Sequence, residues 1–202
     1  MKLNRFYKAT QFLMITLTAA LMLGACASSP KIFVNQDPNA DFTTYKTYNF
    51  MPRLGTDDKT GYHSILSQYL MNSTSQELEA RGYIKADNPD LSVDFELHTQ
   101  EKIRSTSSPS MAGGYYGRGY GVYGGYETTV TQYTEGTLSI LLIDTTTKKE
   151  QLVWEVAAQG RITDAVRKDL ESRVTQVVTD LFTHFPYYAS GFVPPEPTTS
   201  KK

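Results

Sequence analysis

The octet Leu91–His98 alternates between apolar and polar side chains, and it constrains the fold more than any other stretch of the chain. Successive side chains of a β-strand point to opposite faces of a sheet, so L-S-V-D-F-E-L-H predicts a strand with one buried and one solvated face. The alternation recurs in residues 138–142 and 152–158, within strands predicted at Thr128–Asp144 and Gln151–Gln159. Sheets with one solvated face are commonly antiparallel, so these stretches predict an antiparallel sheet that is covered on one side.

Two other stretches carry apolar side chains at the three- and four-residue spacing of an amphipathic helix. The first lies within residues 61–81, and one of its faces carries Leu66, Leu70, Thr74 and Leu78. Gly82 is the predicted C-terminal cap of this helix. The second helix is predicted to begin at Thr163 or Asp164 and to stop at Pro186. Each helix can bury its apolar face only against another element, and the sheet is the nearest candidate.

Short strands are also predicted at Ile32–Val34 and Tyr45–Phe50, which gives the order ββαβββα. The expected fold class is therefore α+β: an antiparallel sheet of about five strands with two helices packed on one face. Trp154 is in phase with its apolar neighbours and is predicted to lie in the core. We expect one domain over residues 31–186 and a flexible, proline-containing tail over residues 187–202.

The N-terminus has the three parts of a secretory signal. Lys2, Arg5 and Lys8 form a basic head, residues 12–23 form an apolar run, and Gly24-Ala25 supplies small residues at the exit. A membrane-spanning helix is the alternative. Its convincingly apolar part covers only about twelve residues, whereas a spanning helix needs about 20.

Cys26 is the only cysteine, and it directly follows Leu23-Gly24-Ala25. This tetrad resembles the lipobox of bacterial lipoproteins, in which a diacylglycerol is attached to the thiol and the signal is cut before the cysteine. The resemblance implies a signal peptide at residues 1–25, cleavage between Ala25 and Cys26, and a lipidated tether at residues 26–30. Several acyl chains such as palmitate would anchor the chain stably. A free structural thiol behind an ordinary signal is the alternative.

The expected address is the cell envelope. The residues after Cys26 are Ala27-Ser28, without the aspartate that resembles an inner-membrane retention signal. We therefore expect an outer-membrane lipoprotein that faces the periplasm. Loss of residues 1–25 moves the formal net charge from −1 to 17 − 21 = −4, so the mature chain has no electrostatic footprint for nucleic acid.

No catalytic or metal-binding constellation is predicted. His63, His98 and His184 lack the spacing of metal ligands, and the single cysteine is used by lipid, so we expect no metal and no cofactor. Asp94 and Glu96 share a strand face about 7 Å apart, but no nucleophile motif adjoins them. A G-x-G-x-x-G spacing at residues 119–124 lies outside any βαβ frame, so it does not indicate a dinucleotide site.

The tract A-G-G-Y-Y-G-R-G-Y-G-V-Y-G-G-Y, residues 112–126, holds seven glycines and five tyrosines. Glycine buries little and loses much entropy on folding, so the tract predicts a loop between two strands. It is either a flexible connector or an adhesive loop, because tyrosine combines apolar area with a hydroxyl. Its candidate interaction residues are Tyr115, Tyr116, Tyr120, Tyr123 and Tyr126. Membrane, a glycan or another envelope protein are the expected partners.

Several motifs together resemble the envelope lipoprotein family known as domain of unknown function 4136. They are Asp41–Tyr48 (D-F-T-T-Y-K-T-Y), Glu79–Tyr83, Asn88–Leu91, Gly136–Leu138 and Leu152–Glu155. The resemblance covers about residues 31–186. It departs from the family pattern at Thr146–Lys149, where the usual turn glycine is missing. The resemblance implies a fold and an address, and it brings no catalytic residues with it.

The leading expectation is a non-catalytic, lipid-anchored binding or assembly module of the envelope. A carrier or chaperone for an apolar ligand is the alternative, and it requires a void between sheet and helices. A hydrolase using Asp94, Glu96 or His98 is a third interpretation, and it requires a cleft that holds two of them.

Overall fold

The computed structural model describes residues 30–58, 61–113, 122–147 and 149–194. Its elements are β1 (Lys31–Gln36), β2 (Thr47–Phe50), α1 (Ile65–Glu79), β3 (Ile84–Lys85), β4 (Leu91–Gly113), β5 (Val122–Asp144), β6 (Gln151–Arg161), α2 (Asp164–Lys168) and α3 (Leu170–Phe182). The strands form one sheet in the order β1-β6-β5-β4-β2-β3. Within the described ranges, no helix has the length and apolar character needed to cross a membrane. The predicted signal peptide and Cys26 lie outside these ranges.

The α+β class is confirmed, but the predicted antiparallel sheet of about five strands is wrong. The sheet has six strands and is mixed, because β2 runs parallel to both β3 and β4 while the other pairs are antiparallel. Helix α1 connects β2 to β3 as a crossover, and such a connection returns the chain in the same direction. The added strand, Ile84–Lys85, is two residues long and too short to give a sequence pattern.

The second predicted helix is divided in two at Asp169, whose backbone angles (φ −132, ψ 56) are not helical. The observed order is therefore ββαββββαα and not ββαβββα. Thr163, one of the two predicted caps, does cap α2, because its side chain accepts a hydrogen bond from the Val166 N–H. The chain leaves α3 after Phe182, before the predicted stop at Pro186.

One face of the sheet and the facing sides of α1 and α3 form a single core. Trp154, which was predicted to be buried, is 1% exposed, and Tyr48 is 0% exposed. The largest buried side chains in this core are Trp154, Tyr48, Tyr83, Phe95, Phe182 and Phe185. Burying an aromatic or aliphatic side chain of this size contributes about 1.5–3 kcal/mol, so this face provides most of the stability.

Leu152 departs from the predicted apolar stripe of β6. The pairing of β5 with β6 shifts register between Leu142 and Ile143, so that Leu142 pairs with Trp154 and Ile143 with Leu152. Val153 is the extra residue of this bulge, and a bulge turns the side chains before it to the opposite face. Val153 is therefore buried at 2% exposure, whereas Leu152 is 45% exposed.

The packed domain continues past residue 186, where the sequence placed its boundary. Tyr187, Ala189 and Phe192 pack on the core, and the ring of Tyr187 stacks on Phe42 with 4.0 Å between centroids. Gly82 has a φ of +84, the left-handed conformation predicted for the helix cap. A Cβ atom at Gly82 would lie 2.3 Å from the Phe192 ring, so glycine also makes room for this segment.

Candidate functional site

The hairpin of β4 and β5 extends far beyond the rest of the sheet. The two strands have 23 residues each and pair in one continuous register from Leu91 opposite Asp144 to Gly113 opposite Val122. Strand β6 pairs with β5 only over 135–144, and β2 pairs with β4 only over 91–93. We call residues 100–113 and 122–134 the arm. At about 3.3 Å per residue it projects about 43 Å from the body as a two-stranded ribbon.

The arm includes part of the tract that was predicted to be a loop. Ala112 and Gly113 end β4, and residues 122–126 begin β5, so the predicted loop boundaries at 112 and 126 are wrong. Tyr123 is paired with Ala112, and Tyr126 is 82% exposed. Tyr115, Tyr116 and Tyr120 lie outside the described residues, as do Ala25 and Cys26. Glycine weakens a strand but does not prevent pairing when the register is fixed from the base.

The two faces of the arm differ in chemistry. Ile103 and Val130, with Tyr126, lie on the face that continues the core side of the sheet, and they are 72%, 65% and 82% exposed. This face also carries Glu101, which accepts a hydrogen bond from Gln132 Nε2 over 3.0 Å, and the opposite face carries the charged side chains Lys102, Arg104 and Glu127. Exposed apolar side chains gathered on one face of a ribbon make that face a candidate interaction surface.

The base of the arm is braced on its charged face. Lys102 Nζ and Gln159 Nε2 both donate to Glu135 Oε2, the second over 3.3 Å. The hydrogen bond with Glu135 raises the pKa of Lys102. The guanidinium group of Arg161 lies 4.2 Å from the ring centroid of Tyr133. These contacts link β4, β5 and β6 at the point where β6 ends.

The other face of the base is closed by Ile162. Its N–H donates to the Thr134 carbonyl over 2.9 Å, and its side chain covers Gly136. A Cβ atom at Gly136 would lie 2.8 Å from Ile162 Cδ1, so glycine is required for this close approach. The arm therefore leaves the body in a defined direction.

Both long edges of the arm are open among the described residues. The edge of β5 over residues 126–134 has no bulge against β4, and it contains Thr128, Thr129, Val130 and Thr131 in succession. β-Branched residues favour strand pairing, and native proteins commonly protect such an edge with proline, lysine or a bulge. This segment contains none of the three. An isolated two-stranded ribbon is also only marginally stable, so the arm is suited to a partner.

The N-terminal end of the domain lies at the same end of the sheet as the arm. Lys31, the first residue of β1, is paired with Gln159 of β6. Arg161, two residues further along β6, is paired with Glu135 at the base of the arm. The segment before Lys31 therefore joins the sheet beside the arm and not at the opposite end, where the β5–β6 turn lies.

The polar residues considered for catalysis do not meet in a cleft. Asp94 accepts hydrogen bonds from the N–H groups of Gly55 and Phe95, which holds the loop after β2 against β4. His98 Nε2 lies 3.4 Å from Glu96 Oε2, and their side chains are 79% and 47% exposed. His63 and His184 lie on other elements. In the part of the chain that the structure describes, no group of three or more potential metal ligands comes together.

A polar cluster at the start of α1 is explained by helix capping. Asp57 Oδ1 accepts from the Ser64 N–H over 3.1 Å, and Asp57 Oδ2 lies 2.8 Å from His63 Nδ1. Partial burial raises the pKa of Asp57, but hydrogen bonds with Ser67, His63 and backbone N–H groups outweigh it and lower the pKa to about 2. Ser64 caps the helix by accepting from the Ser67 N–H over 3.0 Å.

Two surface depressions lie away from the space between sheet and helices. The first, of about 310 Å³, is lined by Phe42 and by the segment from Pro186 to Phe192. The second, of about 230 Å³, contains Asp37, Asp41 and Asp144. Burial and the hydrogen bond to Asp144 raise the pKa of Tyr45, whose hydroxyl lies 3.0 Å from that carboxylate, well above the usual tyrosine range. Neither depression is the void that an apolar-ligand carrier requires.

The fold and the arm define an α+β domain with a mixed six-stranded sheet and one long projecting hairpin. A family model, the Domain of unknown function (DUF4136), matches residues 32–187, and the chain belongs to this family. This confirms the family resemblance of the sequence motifs.

Two crystal structures are similar in fold. A PDZ domain protein from Parabacteroides distasonis ATCC 8503 superposes with a TM-score of 0.52 at 17% identity; the match covers 84% of this chain and 39% of that protein. A DUF4136 family protein from Bacteroides thetaiotaomicron VPI-5482 gives a TM-score of 0.50 at 14% identity, over 81% of this chain and 100% of the other. At these identities the likeness concerns the fold alone. A comparison with curated proteins gives no match.

Proposed function

We propose that this protein is a lipid-anchored, non-catalytic binding or assembly module on the periplasmic side of the outer membrane. In this proposal the arm acts at the membrane that holds the anchor. One observation carries it: Lys31 pairs with Gln159, so the tether joins the sheet at the arm end. Lipidation at Cys26 rests on the resemblance of Leu23–Cys26 to a lipobox.

The lengths of tether and arm support this orientation. Residues 26–30 reach at most roughly 17 Å when fully extended, whereas the arm projects about 43 Å. With Cys26 held in the bilayer, a domain on so short a tether carries its arm against the same bilayer. The exposed Tyr126 on the outer half of the arm suits such a site, because tyrosine is favoured at the headgroup level of membranes.

A fluorescence measurement on the anchored protein tests this proposal. Two variants each gain one cysteine: Tyr126→Cys on the arm and Lys149→Cys in the β5–β6 turn. The added cysteine is labelled with an environment-sensitive dye, and the full-length chain, lipidated at Cys26, is placed in liposomes. We expect blue-shifted emission and quenching by spin-labelled lipid at position 126 only. A Cys26→Ser background should abolish both signals. Equal exposure of the two positions to an aqueous quencher in the anchored protein would contradict the proposal.

A further inference from the structure

The open edges of the arm point to a second copy of this chain as the partner. We propose that the arms of neighbouring copies pair edge to edge, with β4 of one copy beside β5 of the next. This inference rests on the proposed function, since it takes its orientation from the common anchor. It adds the identity of the partner and the edges that meet.

The charges on the arm select this pairing. On the charged face, β4 carries Lys102 and Arg104, whereas β5 carries Glu127 and, at the base, Glu135. On this face β4 is therefore basic and β5 acidic, whereas Glu101 of β4 lies on the other face, bonded to Gln132 of its own chain. Pairing β4 with β4, or β5 with β5, would place like charges side by side, which destabilises neighbouring strands. Pairing β4 with β5 of the next copy brings opposite charges together when Arg104 lies opposite Glu127. This register is four residues out of step with the one inside a hairpin, where Arg104 pairs with Thr131.

Two of these charges have no oppositely charged residue across the hairpin. Lys102 is bonded to Glu135 of its own chain, but Arg104 is paired with Thr131 and Glu127 with Ser108. Arg104 and Glu127 are both exposed. They are therefore the charges on the arm that a neighbouring copy can use.

Backbone geometry favours the same arrangement. Copies that are anchored in one membrane project their arms in the same direction, and β4 and β5 run in opposite directions along the arm. The edge of β4 then meets the edge of β5 as an antiparallel pair, which is the more stable ladder. The same neighbours bring the exposed Val130 of one copy and Ile103 of the next onto one continuous face.

The contact is heterologous, because it joins two different edges and leaves one of each free. Such contacts repeat, so they produce rings or chains of more than two copies. Two-stranded ribbons also twist strongly, which allows pairing along the outer arm while the broader bodies separate.

Cysteine crosslinking tests which edges meet. When Arg104 of one copy lies opposite Glu127 of the next, antiparallel pairing places Ile103 of the first copy opposite Thr128 of the second. The test therefore uses Ile103→Cys on β4 and Thr128→Cys on β5, which do not pair with each other within one hairpin. The two variants carry different tags and are expressed together as full-length chains in the envelope. A short bismaleimide should join Ile103→Cys to Thr128→Cys between copies, and neither variant to itself.

Charge reversal provides the second measurement. Arg104→Glu or Glu127→Arg alone should weaken self-association of the purified lipidated chain on the order of fivefold, because an attractive cross-strand pair becomes repulsive. The combination of both reversals should restore it. Lys149→Glu, an equal charge change in the turn at the other end of β5, should leave it unchanged.

Several results would overturn the pairing of copies. They are a monomeric protein at all concentrations, assemblies that stop at two copies, crosslinks between identical variants, or no restoration by the double reversal. Crosslinks from the arm to a different envelope protein alone would overturn self-pairing and leave the proposed function standing. If the dye at position 126 remains exposed to water in the anchored protein, the proposed function itself is contradicted.

Discussion

The guanidinium carbon of Arg161, the last residue of β6, lies 4.2 Å from the ring centroid of Tyr133, which belongs to the arm close to its base. On the same face Glu135 accepts hydrogen bonds from Lys102 and Gln159. The arm is thus fixed to the one strand that also pairs with β1. Its direction relative to the first residue of the domain follows from this small set of contacts.

We expect the Arg161–Tyr133 contact to stiffen the base of the arm. In a double-mutant cycle, Arg161→Ala and Tyr133→Ala should show a coupling free energy of about 0.5–1 kcal/mol, the usual value for a partly exposed cation–π pair. Amide exchange should accelerate at residues 100–108 and 127–134 and stay unchanged at 91–97. Arg167→Ala, on α2, serves as the control. Additive effects of the two substitutions would refute the coupling.

Shortening the arm should leave the body folded. A chain in which Arg104 is joined to Thr131 by Asn-Gly closes β4 and β5 with a two-residue turn that suits a hairpin. None of the buried core residues that the structure describes lies in the deleted segment, so the free energy of unfolding should change by less than about 1 kcal/mol. Self-association and membrane contact should both be lost. Circular dichroism that reports an unfolded chain would show that the arm is part of the folding unit.

Replacement of Gly82 by alanine should destabilise the domain more than the same change at Gly191. Both glycines have left-handed φ values, +84 and +82, where an L-residue costs about 1–2 kcal/mol. Only at Gly82 would the new Cβ collide, at 2.3 Å from the Phe192 ring, whereas nothing lies within 4 Å at Gly191. Urea unfolding should resolve the difference.

Addition of Phe192→Ala is the internal check on that comparison. It should reduce the difference in unfolding free energy between Gly82→Ala and Gly191→Ala, because the clashing ring is gone. If that difference persists without the ring, its cause lies in the backbone alone.

The stability of the domain should fall at acid pH through Asp57. Its folded pKa, about 2, lies below the ordinary aspartate pKa of 3.8, so its stabilising contribution is complete above about pH 4 and is lost as the pH falls toward 2. At neutral pH, Asp57→Asn should lower the free energy of unfolding by about 1.5–3 kcal/mol, the value of hydrogen bonds to a charged group. The difference in unfolding free energy between Asp57→Asn and wild type should decrease as the pH falls from about 4 to about 2.

The exposed neighbour provides the control for that titration. Asp58→Asn should have little effect on stability at any pH in this range. A gap between Asp57→Asn and wild type that stays constant with pH would show that shape, and not charge, matters at this site.

The sequence predicts residues whose surroundings are local. Trp154 is in the core because its neighbours in β6 alternate, Gly82 caps α1 because the helix must end there, and Thr163 caps α2. The direction of β2 could not be predicted in this way. It depends on α1 crossing over to Ile84–Lys85, and two residues carry no periodic signal. Leu152 is misplaced because a bulge in a partner strand is not visible in the strand itself.

The projection of the arm was missed for a different physical reason. Its strands are solvated on both faces, so their sequence shows little of the apolar alternation that reveals Leu91–His98. The strand predicted from Thr128 to Asp144 is confirmed within β5, but the continuation of β4 beyond His98 and its pairing with that strand were missed. The candidate tyrosines were found by composition, and the place of Tyr123 and Tyr126 on the outer part of a ribbon became visible only from strand pairing.

The pairing of Lys31 with Gln159 also sets an order of events during synthesis. Synthesis from the N-terminus makes β1 available long before β6, so β1 is among the last strands to acquire its neighbour. In the proposed lipoprotein, processing before Cys26 would then act beside a strand that is not yet paired. The sheet is completed at β1 only when the carboxyl-terminal half of the chain is present.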